Sequence, residues 1–153
     1  MAPLTFQHIY ILGPAGRSTK PPLHHPLFAC AVAAGFPTPA DDYVEQELDL
    51  DLREHLIHHP AATFYVRAQG DSMRGVGIFS GDRLVVDRAL TAADGSVIIA
   101  VLDGQVVCKT LRLRTGGQPA LEAANPTYRP IVIEEGQDFE VWGVVTAVVH
   151  TLT

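Results

Sequence analysis

The sequence predicts a mostly β fold: a compact, largely antiparallel β domain with one short helix and an extended N-terminal arm. Three features of the 153 residues carry that expectation. From Thr63 onward, β-branched and aromatic runs alternate with glycines, the punctuation of strands and tight turns. Just before those runs stands one helix-start signal, Asp51 with Glu54 three residues on. The first 40 residues contain no acidic side chain, and five of the eleven prolines lie within the first 26, a composition that suits an arm better than a core.

Residues 1–40 are therefore expected to form a flexible N-terminal arm, with Pro21-Pro22 and Pro26 bracketing His24-His25. Residues 41–59 form an acidic connector. Asp41, Asp42, Glu45, Glu47, Asp49, Asp51 and Glu54 are offset there only by Arg53, as befits a solvated surface. Within it the Asp51–Glu54 capping box precedes Leu52, Leu56 and Ile57, and Pro60 closes the segment, so a helix is expected over Leu52–His58. Residues 60–153 form the β-rich domain, with strands over Thr63–Ala68, Arg83–Asp87, Ser96–Leu102, Gln105–Leu113, Tyr128–Ile133 and Phe139–His150. Within the last of these, Val141–Val149 is apolar almost without alternation, which calls for cover on both faces, from the core and from a second subunit.

The bulk numbers exclude several classes. A formal charge of −6 argues against strong direct binding of nucleic acid through a basic surface. Cys30 and Cys108 are far apart and form no metal-binding cluster, which fits free thiols in a reducing cytoplasm. The apolar run Leu4–Leu12 is broken by Gln7 and His8, lacks a basic leader and is too short to span a bilayer, so no membrane segment is expected. His55, His58 and His59 have helical spacing, but with no cysteine near and Pro60 behind them they read as a solvated face, with neither metal nor cofactor.

Lysine is scarce: Lys20 and Lys109 stand against nine arginines. Arginine keeps its charge at any accessible pH, so lysine is the member of the pair that can lose its proton. Val107, Lys109, Leu111 and Leu113 fall on one side of a period-two pattern and Cys108, Thr110, Arg112 and Arg114 on the other, placing the ammonium on the apolar face. Burial there lowers its pKa, and a neutral amine can take a proton from a hydroxyl. A lysine that snorkels to the sheet edge is the plain alternative. The candidate hydroxyl, Ser72, lies 37 residues earlier in Gly70-Asp71-Ser72-Met73. Gly70 permits a sharp exit from the preceding strand, leaving Ser72 on a surface turn as half of a partly exposed pair, and backbone N–H groups around Asp71 and Ser72 can converge to hold an oxyanion. Alone, the tetrapeptide also fits an ordinary turn. No G-x-S-x-G elbow is present, and neither cysteine has a motif that would activate it.

Gly35-Phe36-Pro37, Asp42-Tyr43-Val44-Glu45-Gln46, His59-Pro60, Gly70-Asp71-Ser72-Met73, Gly81-Asp82, Val86-Asp87 and Lys109 occur in that order. Together they resemble the LexA/UmuD family of self-cleaving Ser/Lys peptidases over about residues 27–150. The resemblance implies a compact catalytic β domain in which Ser72 is the nucleophile, Lys109 the general base and Ala34-Gly35 the scissile bond. The residues around that bond agree: Ala33, Ala34 and Gly35 are small, and Pro37 and Pro39 keep Phe36 and Thr38 out of helix, in the extended form a strand-like cleft accepts. Ala31 and Ala33 also resemble a signal-peptidase site, but prolines and histidines occupy the place of its apolar core.

The resemblance further implies an SOS mutagenesis protein: a cytoplasmic homodimer that cleaves itself when a RecA nucleoprotein filament forms on single-stranded DNA. The trimmed dimer is then expected to join a UmuC-like Y-family DNA polymerase as accessory subunit in translesion synthesis. The chain departs from the UmuD branch in a longer arm and in Ala34 where that branch has cysteine. The expected lack of a helix-turn-helix domain departs from the repressor branch. Two other readings are a Ser/Lys peptidase acting in trans on other proteins and a non-catalytic β-rich binding module. In the second, Ser72 and Lys109 would lie beyond hydrogen-bond reach.

Overall fold

The structure is a computed structural model that describes residues 10–14, 25–28 and 47–153, with side chains from residue 51 onward. The expected cleavage site Ala34-Gly35, Cys30 and most of the expected arm lie outside the described residues. Ten strands are present among those described: β1 (Tyr10–Pro14), β2 (His25–Phe28), β3 (Glu47–Leu50), β4 (Thr63–Arg67), β5 (Arg83–Asp87), β6 (Val97–Leu102), β7 (Gln105–Arg112), β8 (Ala120–Glu122), β9 (Ile131–Val132) and β10 (Phe139–Val149), with one helix, α1 (Leu52–Leu56). The chain divides into two units, Ser18–Leu56 and the remainder. The smaller holds α1 and the antiparallel ribbon β2–β3, which pairs His25 with Leu50 and Phe28 with Glu47. The larger holds one eight-stranded sheet, ordered β1-β4-β5-β10-β6-β7-β8-β9, and every pairing in it is antiparallel.

The mostly β architecture is the one the sequence predicts, and five of the six expected strands form nearly to their expected ends. Tyr128–Ile133 shrinks to two residues because Pro130 has no N–H for a ladder and Asn125 to Tyr128 close a turn instead. Four strands were not expected, β1, β2, β3 and β8. Pro14 and Pro26 obscure the first two, yet β1 lies at the edge of its sheet and β2 in a two-stranded ribbon, the positions where proline is tolerated. The capping aspartate acts as expected: Asp51 Oδ1 accepts the Arg53 and Glu54 N–H groups at 2.9 and 3.4 Å. The helix stops at Leu56, two residues short of His58, because His59 before Pro60 is non-helical (φ −124°, ψ 77°) and Pro60–Ala62 forms a separate 3₁₀ turn.

The register of β7 follows from a two-residue hairpin. Asp103 (φ 49°) and Gly104 (φ 79°) both adopt left-handed angles, the pair a tight turn between right-twisted strands requires. Leu102 then faces Gln105, Ile99 faces Cys108 and Ile98 faces Lys109. A slip of one residue would send Lys109 to the other face. Both faces of β7 are covered: Cys108 belongs to a buried cluster with Val66, Ala68, Met73, Ile78, Leu84, Val86 and Ile99, whereas Val107 and Leu111 join Ile98, Ala100, Leu102, Leu121 and Ile133 in a second. Cover on both faces of Val141–Val149, expected from its apolar run, is only partial within the chain, since Val141, Val144, Val145 and Val148 stay half-buried and Val149 is exposed. No helix among the described residues is long and apolar enough to cross a membrane.

Candidate active site

Ser72 lies in the loop between β4 and β5, and reciprocal backbone bonds close that loop at its base. Ala68 N–H donates to Asp82 O at 2.9 Å and Gly81 N–H to Ala68 O at 2.8 Å. The Asp82 carboxylate tightens the same corner by accepting the Phe79 N–H at 2.8 Å and lying 2.5 Å from His150 Nδ1. Gly70 takes φ 95°, a conformation costly for any side chain but free for glycine, and the chain turns there out of the β4 direction. Met73 and Ile78 anchor the rest of the loop in the first buried cluster, and the Met73 carbonyl accepts both the Val76 and the Ile78 N–H at 3.2 Å.

Ser72 and Lys109 meet in the interior. Lys109 Nζ donates to Ser72 Oγ at 2.8 Å, so the expectation of a binding module whose serine and lysine never meet fails on geometry. The exposure expected from sequence is corrected: Ser72 is 1% exposed and Lys109 6%, where a surface turn and a partly exposed pair were anticipated. Flanking Met73 and Ile78 draw the turn into the core, a tertiary effect that the polar Gly-Asp-Ser string does not advertise.

Burial holds the Lys109 ammonium below the usual lysine pKa, a shift that Cys108 would oppose only if ionised. The Tyr128 ring, its centroid 5.6 Å from Nζ, favours the charge. Burial pushes the Cys108 thiol up to about 12, although Lys109 pulls the other way, so the thiol adjoining the amine stays protonated and inert. The Ser72 hydroxyl, in contrast, is a nucleophile in contact with an amine that can act as its base. A neutral amine at 2.8 Å can take its proton, and the water-poor surroundings strengthen any charge that then develops.

The histidines flagged in the sequence go elsewhere. His59 Nδ1 lies 2.6 Å from Asp87 Oδ2, a buried carboxylate whose other oxygen accepts the Ala89 N–H at 2.8 Å. Among the described residues, histidine, cysteine and carboxylate groups form no cluster able to hold a metal ion. Two residues at the site were not singled out from the sequence, Asn125 and Tyr128. Their only prior signal was Asn125-Pro126, a turn dipeptide that does not reveal what it turns toward.

The Peptidase S24-like family matches residues 26–146. Protein SamA of Salmonella typhimurium strain LT2 is 46% identical over 125 residues, 82% of this chain and 84% of SamA. Protein ImpA of Escherichia coli is 45% identical over 139 residues, 90% of this chain and 91% of ImpA. Protein MucA of Escherichia coli is 40% identical over 122 residues, 79% of this chain and 81% of MucA.

Proposed function

The chain belongs to the Peptidase S24-like family, as a UmuD-like member of the LexA/UmuD group, and from that premise we propose that it is a self-cleaving serine peptidase with Ser72 as nucleophile and Lys109 as general base. The observation that carries the reading is the 2.8 Å contact between Lys109 Nζ and Ser72 Oγ in a buried site. Neutral Lys109 takes the Ser72 proton as Oγ attacks the carbonyl carbon of Ala34. The tetrahedral intermediate collapses with the lysine's proton passing to the Gly35 nitrogen, which leaves as a free amine and ends the arm at Ala34 as an ester on Ser72. Water, deprotonated by the now neutral Lys109, releases Ala34 as a carboxylate and restores the serine.

The biological setting proposed is SOS mutagenesis in the cytoplasm. A RecA nucleoprotein filament stabilises the conformation in which the arm lies across Ser72, and the trimmed protein, a homodimer, serves a UmuC-like Y-family DNA polymerase as accessory subunit. A populated minor state suffices for such stimulation, since a tethered substrate already enjoys a high effective concentration and no new chemistry is needed. The half-buried Val141, Val144, Val145 and Val148 and the exposed Val149 of β10, one continuous run, support self-association through that strand. The residue arrangement proposed for the arm, 1–40 with its cut site, followed by an acidic connector over 41–59 and the catalytic domain over 60–153, places the scissile bond upstream of the nucleophile on a tether.

Mass spectrometry tests the proposal. Purified protein incubated at alkaline pH, or at neutral pH with RecA on single-stranded DNA, should yield one fragment beginning at Gly35 in both reactions, and Ser72→Ala should yield none. Different cut sites in the two reactions, or a cut that survives loss of Ser72, would overturn it.

A further inference from the structure

The turn that carries Ser72 is gripped from outside its own loop by residues 124–128. Gly75 N–H donates to Ala124 O at 2.7 Å, an approach so close that a Cβ on Gly75 would stand 2.6 Å from that oxygen. Asn125 Nδ2 donates to Asp71 O at 3.0 Å, and the Tyr128 hydroxyl donates to Asp71 Oδ1 at 2.5 Å. The Asp71 carbonyl belongs to the peptide unit whose nitrogen is that of Ser72. Because the unit is planar, fixing the oxygen also fixes the direction of the Ser72 N–H and of the Cα that bears the hydroxyl. Asn125 is itself held, since its Oδ1 accepts the Thr127 N–H at 3.1 Å and the Thr127 hydroxyl at 2.8 Å. Tyr128 closes the arrangement by bonding Asp71 at one end while its ring faces Lys109 Nζ.

We propose that Asn125 and Tyr128 are positioning residues for the Ser72–Lys109 dyad, orienting the Asp71–Ser72 peptide from its carbonyl and its side-chain ends. The inference rests on the dyad reading above. Neither residue exchanges a proton with substrate. Their effect is to narrow the range of Ser72 positions, and displacing a nucleophile by a fraction of an ångström lowers the rate without changing what the base is. The hydrogen bond to Asp71 also engages the phenol and pushes its ionisation up, which favours the donor form of Tyr128.

Two variants separate the clamp from the dyad. Tyr128→Phe keeps the ring against Lys109 and deletes only the bond to Asp71. Asn125→Asp keeps the acceptor for Thr127 and deletes the donor to the Asp71 carbonyl. The full-length chain is followed by self-cleavage across pH and by labelling of the serine with a fluorophosphonate, which reports the hydroxyl's reactivity without the arm's peptide bond. Each variant should lower the alkaline plateau of cleavage and the labelling rate by about tenfold, leaving the pH midpoint where the wild type has it. Plateaus and labelling at wild-type level, or a lowered melting temperature with an undiminished plateau in the folded range, would overturn the clamp. A wild type that neither cleaves nor labels, or a Ser72→Ala protein that does either, would instead overturn the dyad reading and the clamp with it.

Discussion

Lys109→Met should abolish self-cleavage and yet make the protein more stable at neutral pH. Lys109 is 6% exposed, and desolvation lowers its pKa from 10.5, so the fold bears a cost whenever the amine is charged. A fully desolvated ammonium costs several kcal/mol, of which the hydrogen bond to Ser72 and the Tyr128 ring return part. Methionine keeps the apolar stem without the charge, and we expect a net gain of about 1–2 kcal/mol at pH 7, or roughly 2–8 °C in melting temperature. The pH dependence has a definite sign. Between the lowered folded pKa and 10.5 the unfolded chain holds a proton that the folded chain has released, so wild-type stability rises with pH across that window. The methionine variant's advantage is therefore full below the folded pKa and shrinks as pH approaches 10.5. Cleavage runs in parallel: the wild-type rate should climb about tenfold per pH unit and level off at the folded pKa, and the variant should lose about 10²–10⁴-fold. Melting curves and cleavage time courses on both proteins from pH 6 to 10.5 test this. A stability difference that stays flat over that range, or a methionine variant that still cuts with the wild-type pH profile, would refute the reasoning.

Lys109→Arg should be inert at every pH at which the fold survives, because guanidinium does not deprotonate; an active arginine variant on mass spectrometry would rule out lysine as base. Ser72→Ala should leave a folded protein that keeps its arm indefinitely, checked by circular dichroism beside intact-mass measurement after alkaline incubation. Gly35→Glu should block self-processing while the catalytic domain still cuts a separate peptide spanning residues 30–40; failure to cut that peptide would place the lesion in the fold. Gly75→Ala should cost about 1–3 kcal/mol of stability and slow cleavage as well, since the new Cβ meets a backbone oxygen at 2.6 Å rather than a movable side chain, and thermal melts with cleavage rates measure both.

The dyad contact was legible in the sequence because both members announce themselves by residue type: a serine in a glycine-led turn, and one of only two lysines placed on an apolar stripe. The major strands were legible for a related reason. Their runs are long and bounded by glycines, one of which closes the Asp103-Gly104 hairpin that sets the register of Lys109. What stayed hidden depends on contacts between distant segments. β8 is three residues long and exists through pairing with β7 and β9, which no local pattern specifies. Asn125 and Tyr128 acquire meaning only when the 71–75 turn lies against them, and the burial of Ser72 comes from where Met73 and Ile78 are anchored.

Curvature of the sheet, more than any single residue, brings the dyad together. Ser72 follows the end of β4, whereas Lys109 sits in β7, and the order β4-β5-β10-β6-β7 puts four strand spacings between them, roughly 19 Å on a flat sheet. A lysine side chain spans only a fraction of that. Val66 of β4, Val86 of β5, Ile99 of β6 and Cys108 of β7 nevertheless share one buried cluster with Met73 and Ile78, the residues that anchor the Ser72 loop. The bend is written into β10, the central strand, whose pairing shifts register twice: Trp142 is the extra residue opposite β6 and Thr146 the extra residue opposite β5. An additional residue on one side of a ladder bends and twists the strand that carries it. Arg88 stabilises the first irregularity by donating from Nε to the Trp142 carbonyl at 2.8 Å while its guanidinium lies 4.6 Å from the indole centroid. Gly143 follows at once, where a Cβ would stand 2.6 Å from Val86 Cγ1. The glycine permits the close approach of β10 to β5 there, and the extra residue before it bends the strand between the two halves of the sheet. Residues with no chemistry of their own thus shape the strand that lies between β4, which leads to Ser72, and β7, which carries Lys109.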